Sequence, residues 1–198
     1  MPQRFNGSRA QLRTVLHSHR SEGLTRDGRP LTVRFKTPAD LRAWRRFVAL
    51  VPDDAGHRPG TQLDLADLTT DYHRYEGPYL VAEVEGEIVG AVFIVPADPV
   101  LGYHQDHVME FHVDVLPGWR GQGVGTALVG SLIEWARVMG DVRKLEAVCL
   151  GWNEPVIGML KGAGFHEEGR SARSWMVRLD GGGNKYDDVV HMGLWIGK

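Results

Sequence analysis

The sequence has little of what would place it in several large protein classes. It holds one cysteine, Cys149, in 198 residues, so no internal disulfide can form and a disulfide-stapled secreted scaffold is excluded. Cys149 lies in the apolar stretch Leu145 to Leu150 with no histidine or basic residue beside it, which reads as a buried structural thiol rather than a nucleophile. A charge excess of either sign is also missing: 23 Lys and Arg against 25 Asp and Glu leave a formal net charge of -2. Such a balance provides no broad positive field for collecting nucleic-acid phosphates. No run approaches the roughly 18 apolar residues of a membrane span, and the start, Met1-Pro2-Gln3-Arg4-Phe5-Asn6, has no apolar leader core. Neither nucleic acid nor membrane is expected as a partner, and the expected setting is soluble, reducing and cytoplasmic.

What is present suits one folded domain: 42% of the residues are hydrophobic, enough to fill a core at this length. Residues 1–30 are basic and broken by Ser, Gly and His, and read as an appended N-terminal arm; residues 31–198 read as the domain. Leu31 to Phe35 alternates as a strand does. Thr37-Pro38-Ala39-Asp40 then combines an N-cap, a proline and an acid in the first turn of a helix carrying Leu41, Trp44, Val48 and Val51. A weaker helical pattern covers 62–73. Tyr79 to Val84 and Ile88 to Val95 form a hairpin about Glu85-Gly86. Met109, Phe111, Val113 and Val115 share one face of a central strand whose other face carries Glu110, His112 and Asp114. A helix follows with Leu128, Leu132, Trp135 and Met139 on one stripe, closed by Gly140. A strand over 144–150, a helix over 154–161 and two long strands about Gly181-Gly182-Gly183 complete the pattern, which is α/β.

Between central strand and helix stands Arg120-Gly121-Gln122-Gly123-Val124-Gly125. A helix start with side-chain-free residues presents unpaired N–H groups to an anion, and Arg120 adds charge, so the turn suits a phosphate; it also suits a plain tight turn. No Lys-Ser/Thr follows the last glycine, as a P-loop requires, and no second βαβ unit supplies the acid of a dinucleotide site. Nucleotide hydrolysis and hydride transfer both lose ground.

Arg120-x-x-Gly123-x-Gly125, preceded by Phe111 to Val115 and Pro117, resembles the pyrophosphate motif of the GNAT superfamily of acyl-CoA-dependent N-acyltransferases. Asn153, a short helix and Gly164-Phe165 resemble that family's later block, and the likeness spans roughly 165 residues from Leu31 onward. The resemblance implies a mixed, mainly antiparallel sheet with a splayed parallel pair and helices on both faces. It implies acetyl-CoA as co-substrate, with no metal, and an amine of a small molecule, amino acid or peptide as acceptor; a homodimer stays open. The backbone of Val113 and Val115 would pair with the pantetheine amides. Amides of Gly121, Gln122, Gly123, Val124, Gly125 and Thr126 would hold the pyrophosphate beside Arg120, and Asn153 would steady the pantetheine. Each has a plainer reading as well: Val113 and Val115 as core, Asn153 as a helix cap.

Attack on a thioester requires the amine to lose its proton, since alkylamines titrate near pH 10. Glu110 is the first candidate base, followed by His112 and His107. His104, Asp106 and His107 form a cluster with some likeness to a metal site, but a polar loop explains them and nothing in the reaction calls for a metal. Many members of that family carry a tyrosine acid seven residues after the asparagine, where this sequence has Leu160; Tyr186, Tyr103 or solvent would take its place. Asp187 and Asp188 would attract an ammonium group or simply begin a strand; Arg170 and Arg173 would bind a carboxylate or simply be solvated. Three functions follow: an N-acetyltransferase working by direct attack in a ternary complex, a non-catalytic acyl-CoA-binding regulatory module, and a protein N-acetyltransferase.

Overall fold

A computed structural model describes residues 19–51, 79–96, 107–178 and 183–197. Among these, the alternating and β-branched runs form β1 (Arg20–Leu24), β2 (Pro30–Phe35), β3 (Tyr79–Val84), β4 (Glu87–Pro96), β5 (Val108–Val115), β6 (Lys144–Leu150), β7 (His166–Arg178) and β8 (Asn184–Trp195). The helices are α1 (Leu41–Leu50), α2 (Val124–Met139) and α3 (Glu154–Gly162). The strands make one sheet in the order β1-β2-β3-β4-β5-β6-β8-β7, in which only β5 and β6 run parallel. The expected mixed, mainly antiparallel sheet is therefore present. The β3–β4 hairpin turns at Glu85 and Gly86, both at positive φ, as its sequence requires. The weak helical pattern at 62–73 lies outside the described residues, as does most of the expected N-terminal arm.

One part of that arm is a strand. Arg20–Leu24 pairs along its whole length with β2, so the sheet starts ahead of the expected boundary at Leu31. The signal was Asp27-Gly28 between two short runs, a hairpin turn hidden by the basic residues around it.

The helices cover both faces. Leu128, Leu132 and Trp135 of α2 and Leu160 of α3 are buried with Leu80, Val92, Phe111, Leu145 and Met192 from the strands. On the opposite face Trp44 and Phe47 of α1 pack on Val81, Ile88 and Ala91. The stripe expected for α1 is thus shifted: Leu41 is 46% exposed and Phe47 takes its place in the core. A 3-10 turn over Pro38–Asp40 precedes the helix and brings the Trp44 and Phe47 side of it onto the sheet.

That turn is anchored by charge. Arg34 on β2 donates to both carboxylate oxygens of Asp40, at 2.8 and 2.7 Å, and to Glu83 on β3 at 3.1 and 2.6 Å. Asp40 also accepts from the backbone N–H of Thr37 at 2.6 Å and from its hydroxyl at 2.8 Å, closing the capping box that Thr37 and Asp40 promise in sequence. The Arg34 guanidinium and the Thr37 donors hold the buried Asp40 carboxyl down at about 2. A depressed folded-state value stabilises above the ordinary carboxylate range, and that contribution is lost as pH falls toward the folded value. Asp40→Asn should therefore cost about 2 kcal/mol at neutral pH, a pKa unit being worth about 1.4 kcal/mol. Urea denaturation checks this, and the gap between wild type and variant should close as pH falls from 3.8 toward about 2.

Candidate active site

Strands β5 and β6 part company part way along. They pair at Val108↔Lys144, Met109↔Leu145 and Glu110↔Glu146. Beyond that point β5 stays with β4 as far as Val115, while β6 stays with β8 as far as Leu150. Among the described residues no strand pairs with the β5 edge facing β6 beyond Glu110, and backbone amides on such an edge seek a partner. Val113 and Val115 lie on this stretch, half-buried and packed against the core.

Both strands lead to helix starts at the mouth of the gap. After β5, Pro117–Trp119 makes a 3-10 turn, and Gly121 and Gly123 take φ of 74° and 87°, conformations that disfavour a side chain. Gly123 is the N-cap of α2, and no side chain caps that helix. A Cβ at Gly121 or Gly123 would meet nothing within 4 Å, whereas one at Gly125 would lie 2.8 Å from the Met159 sulfur on α3. The first two glycines thus border open space, and the third lets the two helices approach. Val124 is buried, Thr126 is exposed on the first turn, and Arg120 folds back to donate its Nε–H to the Val115 carbonyl at 3.1 Å. After β6, Asn153 precedes α3 but its side chain does not cap it, so the capping role does not occupy that amide.

The sheet face at the fork is polar. Glu110 and His112, two residues apart on β5 and so on one face, meet at 3.4 Å between Oε1 and Nε2. Hydrogen bonding from His112 holds the Glu110 carboxyl below its ordinary range against partial burial, with the charge of His191 adding to the effect. The sequence offered no sign that His191 on β8 would approach Glu110; only strand order does that, and Ser171 on β7 touches the His191 ring at 3.5 Å. No bulge interrupts β5 against β4, so Phe111 stays in the core against Phe165, ring centroids 5.6 Å apart. His107 is not brought to this group. It precedes β5 at the closed end of the strand pair, its ring 6.4 Å from that of Trp195 and its carbonyl accepting from Arg143 and Lys144.

Other candidates have structural partners. Asp187 accepts from the Trp152 N–H at 3.3 Å, Asp188 from the Arg173 N–H at 3.0 Å, and the Asp188 carbonyl from the Gly151 N–H at 2.9 Å. They fasten the loop ahead of α3 to β8. Arg170 pairs with Glu167 at 3.0 Å and Asp188 at 3.5 Å. Tyr186 is exposed on β8, and Leu160 is fully buried. Burial pushes the Cys149 thiol up to about 11, as its apolar setting predicted. Tyr103, His104 and Asp106 lie outside the described residues, among which no group of three or more His, Cys, Asp or Glu could hold a metal ion. No described helix is long and apolar enough to cross a membrane.

Residues 43–165 match the profile of the acetyltransferase (GNAT) family. A probable N-acetyltransferase family 8 member 5 of Mus musculus is 35% identical over 123 residues, 59% of this chain and 52% of that protein. N-acetyltransferase 8F1 of Rattus norvegicus is 31% identical over 141 residues, 70% of this chain and 58% of that protein. The chain thus spans about half the length of these curated relatives. A ribosomal-protein-alanine N-acetyltransferase structure from Brucella melitensis superposes with a TM-score of 0.67 at 29% identity, over 83% of this chain and 99% of that one. A Sinorhizobium meliloti phosphinothricin acetyltransferase in complex with acetyl-CoA shares the fold, with a TM-score of 0.71 at 22% identity over 84% and 89% of the two chains.

The Glu110 and His112 contact makes a direct prediction. With a depressed folded-state value, the pair stabilises above the ordinary carboxylate range and loses that contribution as pH falls through the lowered value. His112→Ala removes the main cause, so the Glu110 carboxyl should titrate at higher pH than in wild type. Carboxyl carbon NMR reads the midpoint, and an unmoved midpoint would show the two groups to be uncoupled.

Proposed function

Because the chain belongs to the acetyltransferase (GNAT) family, we propose that it is an N-acetyltransferase that carries an acetyl group from acetyl-CoA to the primary amine of a small molecule, amino acid or peptide. The observation that carries this reading is the fork between β5 and β6, with the uncapped glycine start of α2 at its mouth. The residues present fit the coenzyme. Open space at Gly121 and Gly123 admits a diphosphate to the backbone, the β5 edge at Val113 and Val115, beyond its last pairing with β6, offers amide pairing like that of an added strand, and the Asn153 amide faces no capping duty. When bound, acetyl-CoA supplies a thioester whose carbonyl carbon takes the amine and whose thiolate departs.

The chain's own part is to hold the coenzyme, keep the amine in place and accept its proton. Glu110 and His112 stand on the strand that would carry the pantetheine, on the face opposite the core formed with α2 and α3. A carboxylate held low gives up protons readily and is a weak base, so within this pair Glu110 orients and balances the imidazole, and His112 takes the proton, directly or through one water. His107 has no part in this scheme. A thiolate leaving group, whose parent thiol titrates near pH 8.5, departs without a dedicated acid, which suits a chain with Leu160 in the core at the position expected for a tyrosine acid.

That same buried leucine favours a second reading, a regulatory module that binds acyl-CoA without turnover. A screen of amines with acetyl-CoA as donor, reading free thiol, separates the two: release of thiol with at least one amine class establishes the enzyme, while tight binding with no release across the panel establishes the module. Gly123→Glu should abolish acetyl-CoA binding in calorimetry while the protein stays folded, because it places a side chain and a negative charge where the diphosphate would lie; unchanged affinity would overturn the coenzyme site. Glu110→Gln and His112→Ala should each lower kcat by about a hundredfold, the usual scale of acid–base assistance, with acetyl-CoA affinity nearly unchanged. Retention of kcat and of the acidic limb of the pH profile in both would place the base elsewhere.

A further inference from the structure

The glycine turn has two soft joints. With Gly121 and Gly123 on either side of Gln122, both at positive φ, the peptide between Gln122 and Gly123 can rotate at little steric cost. The turn's own backbone ties are long, with Gln122 N–H reaching the Trp119 carbonyl at 3.4 Å and Arg120 N–H the Pro117 carbonyl at 3.3 Å, while the Arg120 side chain holds the Val115 carbonyl at 3.1 Å and the Gly123 carbonyl accepts from Ala127 at 3.0 Å. The side-chain carbonyl of Gln122 is buried and accepts no hydrogen bond from the described residues, so it anchors nothing.

The Gln122 carbonyl itself is held by the β1–β2 hairpin, outside the residues 43–165 that match the family profile. Its turn donates the Arg26 backbone N–H to the Gln122 carbonyl at 3.0 Å. Its Arg29 guanidinium lies 4.0 Å from the centroid of the Trp119 ring. The hairpin turn is itself well made. Thr25, 3% exposed, receives the Arg29 N–H on its hydroxyl at 2.9 Å and donates its own N–H to the Arg29 carbonyl at 2.9 Å, while Gly28 closes the turn onto the Thr25 carbonyl at 2.9 Å.

We propose that the Thr25–Arg29 turn is a positioning element of the acetyl-CoA site, which fixes the Gln122–Gly123 peptide so that the Gly123 N–H faces the diphosphate. The argument is planar geometry. No peptide in the described chain is cis, and in a trans peptide C=O and N–H point in opposite directions. The hairpin belongs to strands on the β4 side of β5, whereas the fork opens on the β6 side. Drawing the Gln122 carbonyl toward Arg26 therefore turns the Gly123 N–H toward the fork. Without that bond the peptide rotates freely and the turn must order itself at each binding event, a conformational cost charged to affinity. This inference rests on the coenzyme-site reading above.

Arg26 is the second residue of the hairpin turn, the position at which proline is favoured, so Arg26→Pro deletes the N–H and keeps the turn. Acetyl-CoA should bind it about tenfold more weakly than wild type, the scale of one lost hydrogen bond. Arg26→Ala retains the N–H and should restore binding to within about twofold, which assigns the effect to the backbone donor. In glycine-labelled protein, acetyl-CoA should shift the Gly123 amide resonance in wild type and Arg26→Ala, and should shift it far less in Arg26→Pro. In wild type itself, saturating acetyl-CoA should slow hydrogen exchange at the Arg26 amide, which is bonded to the Gln122 carbonyl, because coupling is reciprocal. This last measurement decides the matter should Arg26→Pro fail to fold. Unchanged affinity in Arg26→Pro, equal weakening in Arg26→Ala, or Arg26 exchange indifferent to acetyl-CoA would overturn the proposal. Gly123→Glu distinguishes its failure from that of the underlying reading: if that variant loses binding while Arg26→Pro keeps it, the coenzyme site stands and only the positioning role falls.

Discussion

Everything in this fold is arranged around a parallel strand pair that stops pairing after three residues. Each strand keeps its neighbour on the other side, β4 for β5 and β8 for β6, so the sheet survives the interruption. Only one edge of each strand is left with polar groups to satisfy. Both following segments become helix starts, and both helices pack on the same face, with Gly125 against Met159 where they come closest. A second close approach seats α2: a Cβ at Gly90 on β4 would lie 3.0 Å from the Asp114 carbonyl, Leu128 and Val124. Two glycines far apart in sequence thus set how deeply the start of α2 sits beside the open edge.

Much of this was legible in residues alone. Period-two alternation in Leu31 to Phe35 and Met109 to Val115, the turn at Glu85-Gly86 and the αL glycine closing α2 at Gly140 report local preferences that the tertiary structure does not oppose. The glycine turn was legible because its chemistry is local too. Three features were not, and each depends on contacts between distant residues. The phase of α1 was set by the 3-10 turn that Arg34 and Glu83 anchor through Asp40. The strand Arg20–Leu24 was masked by arginines that suggest a tail, although edge strands tolerate such charge. The approach of His191 to Glu110 arises from sheet order, in which β8 is inserted between β6 and β7, and no spacing in the chain encodes it.

Some residues have exchanged one duty for another. Leu160 contributes apolar packing with Phe165, Ile157 and Met192, and a hydroxyl at that place would need a partner inside the core. Asp187 and Asp188, acidic and near the fork, are spent on backbone N–H groups of Trp152 and Arg173. Charge near a cleft is thus a poor guide to function until its hydrogen bonds are counted.

Those two aspartates tie together parts of the domain that are far apart in sequence. They join the hairpin of β7 and β8, the part of the domain with the longest strands, to Gly151 and Trp152, which lead straight into Asn153 and α3. A displacement of the hairpin at Asp187 or Asp188 is therefore carried into the backbone that begins α3, so the two move as one unit.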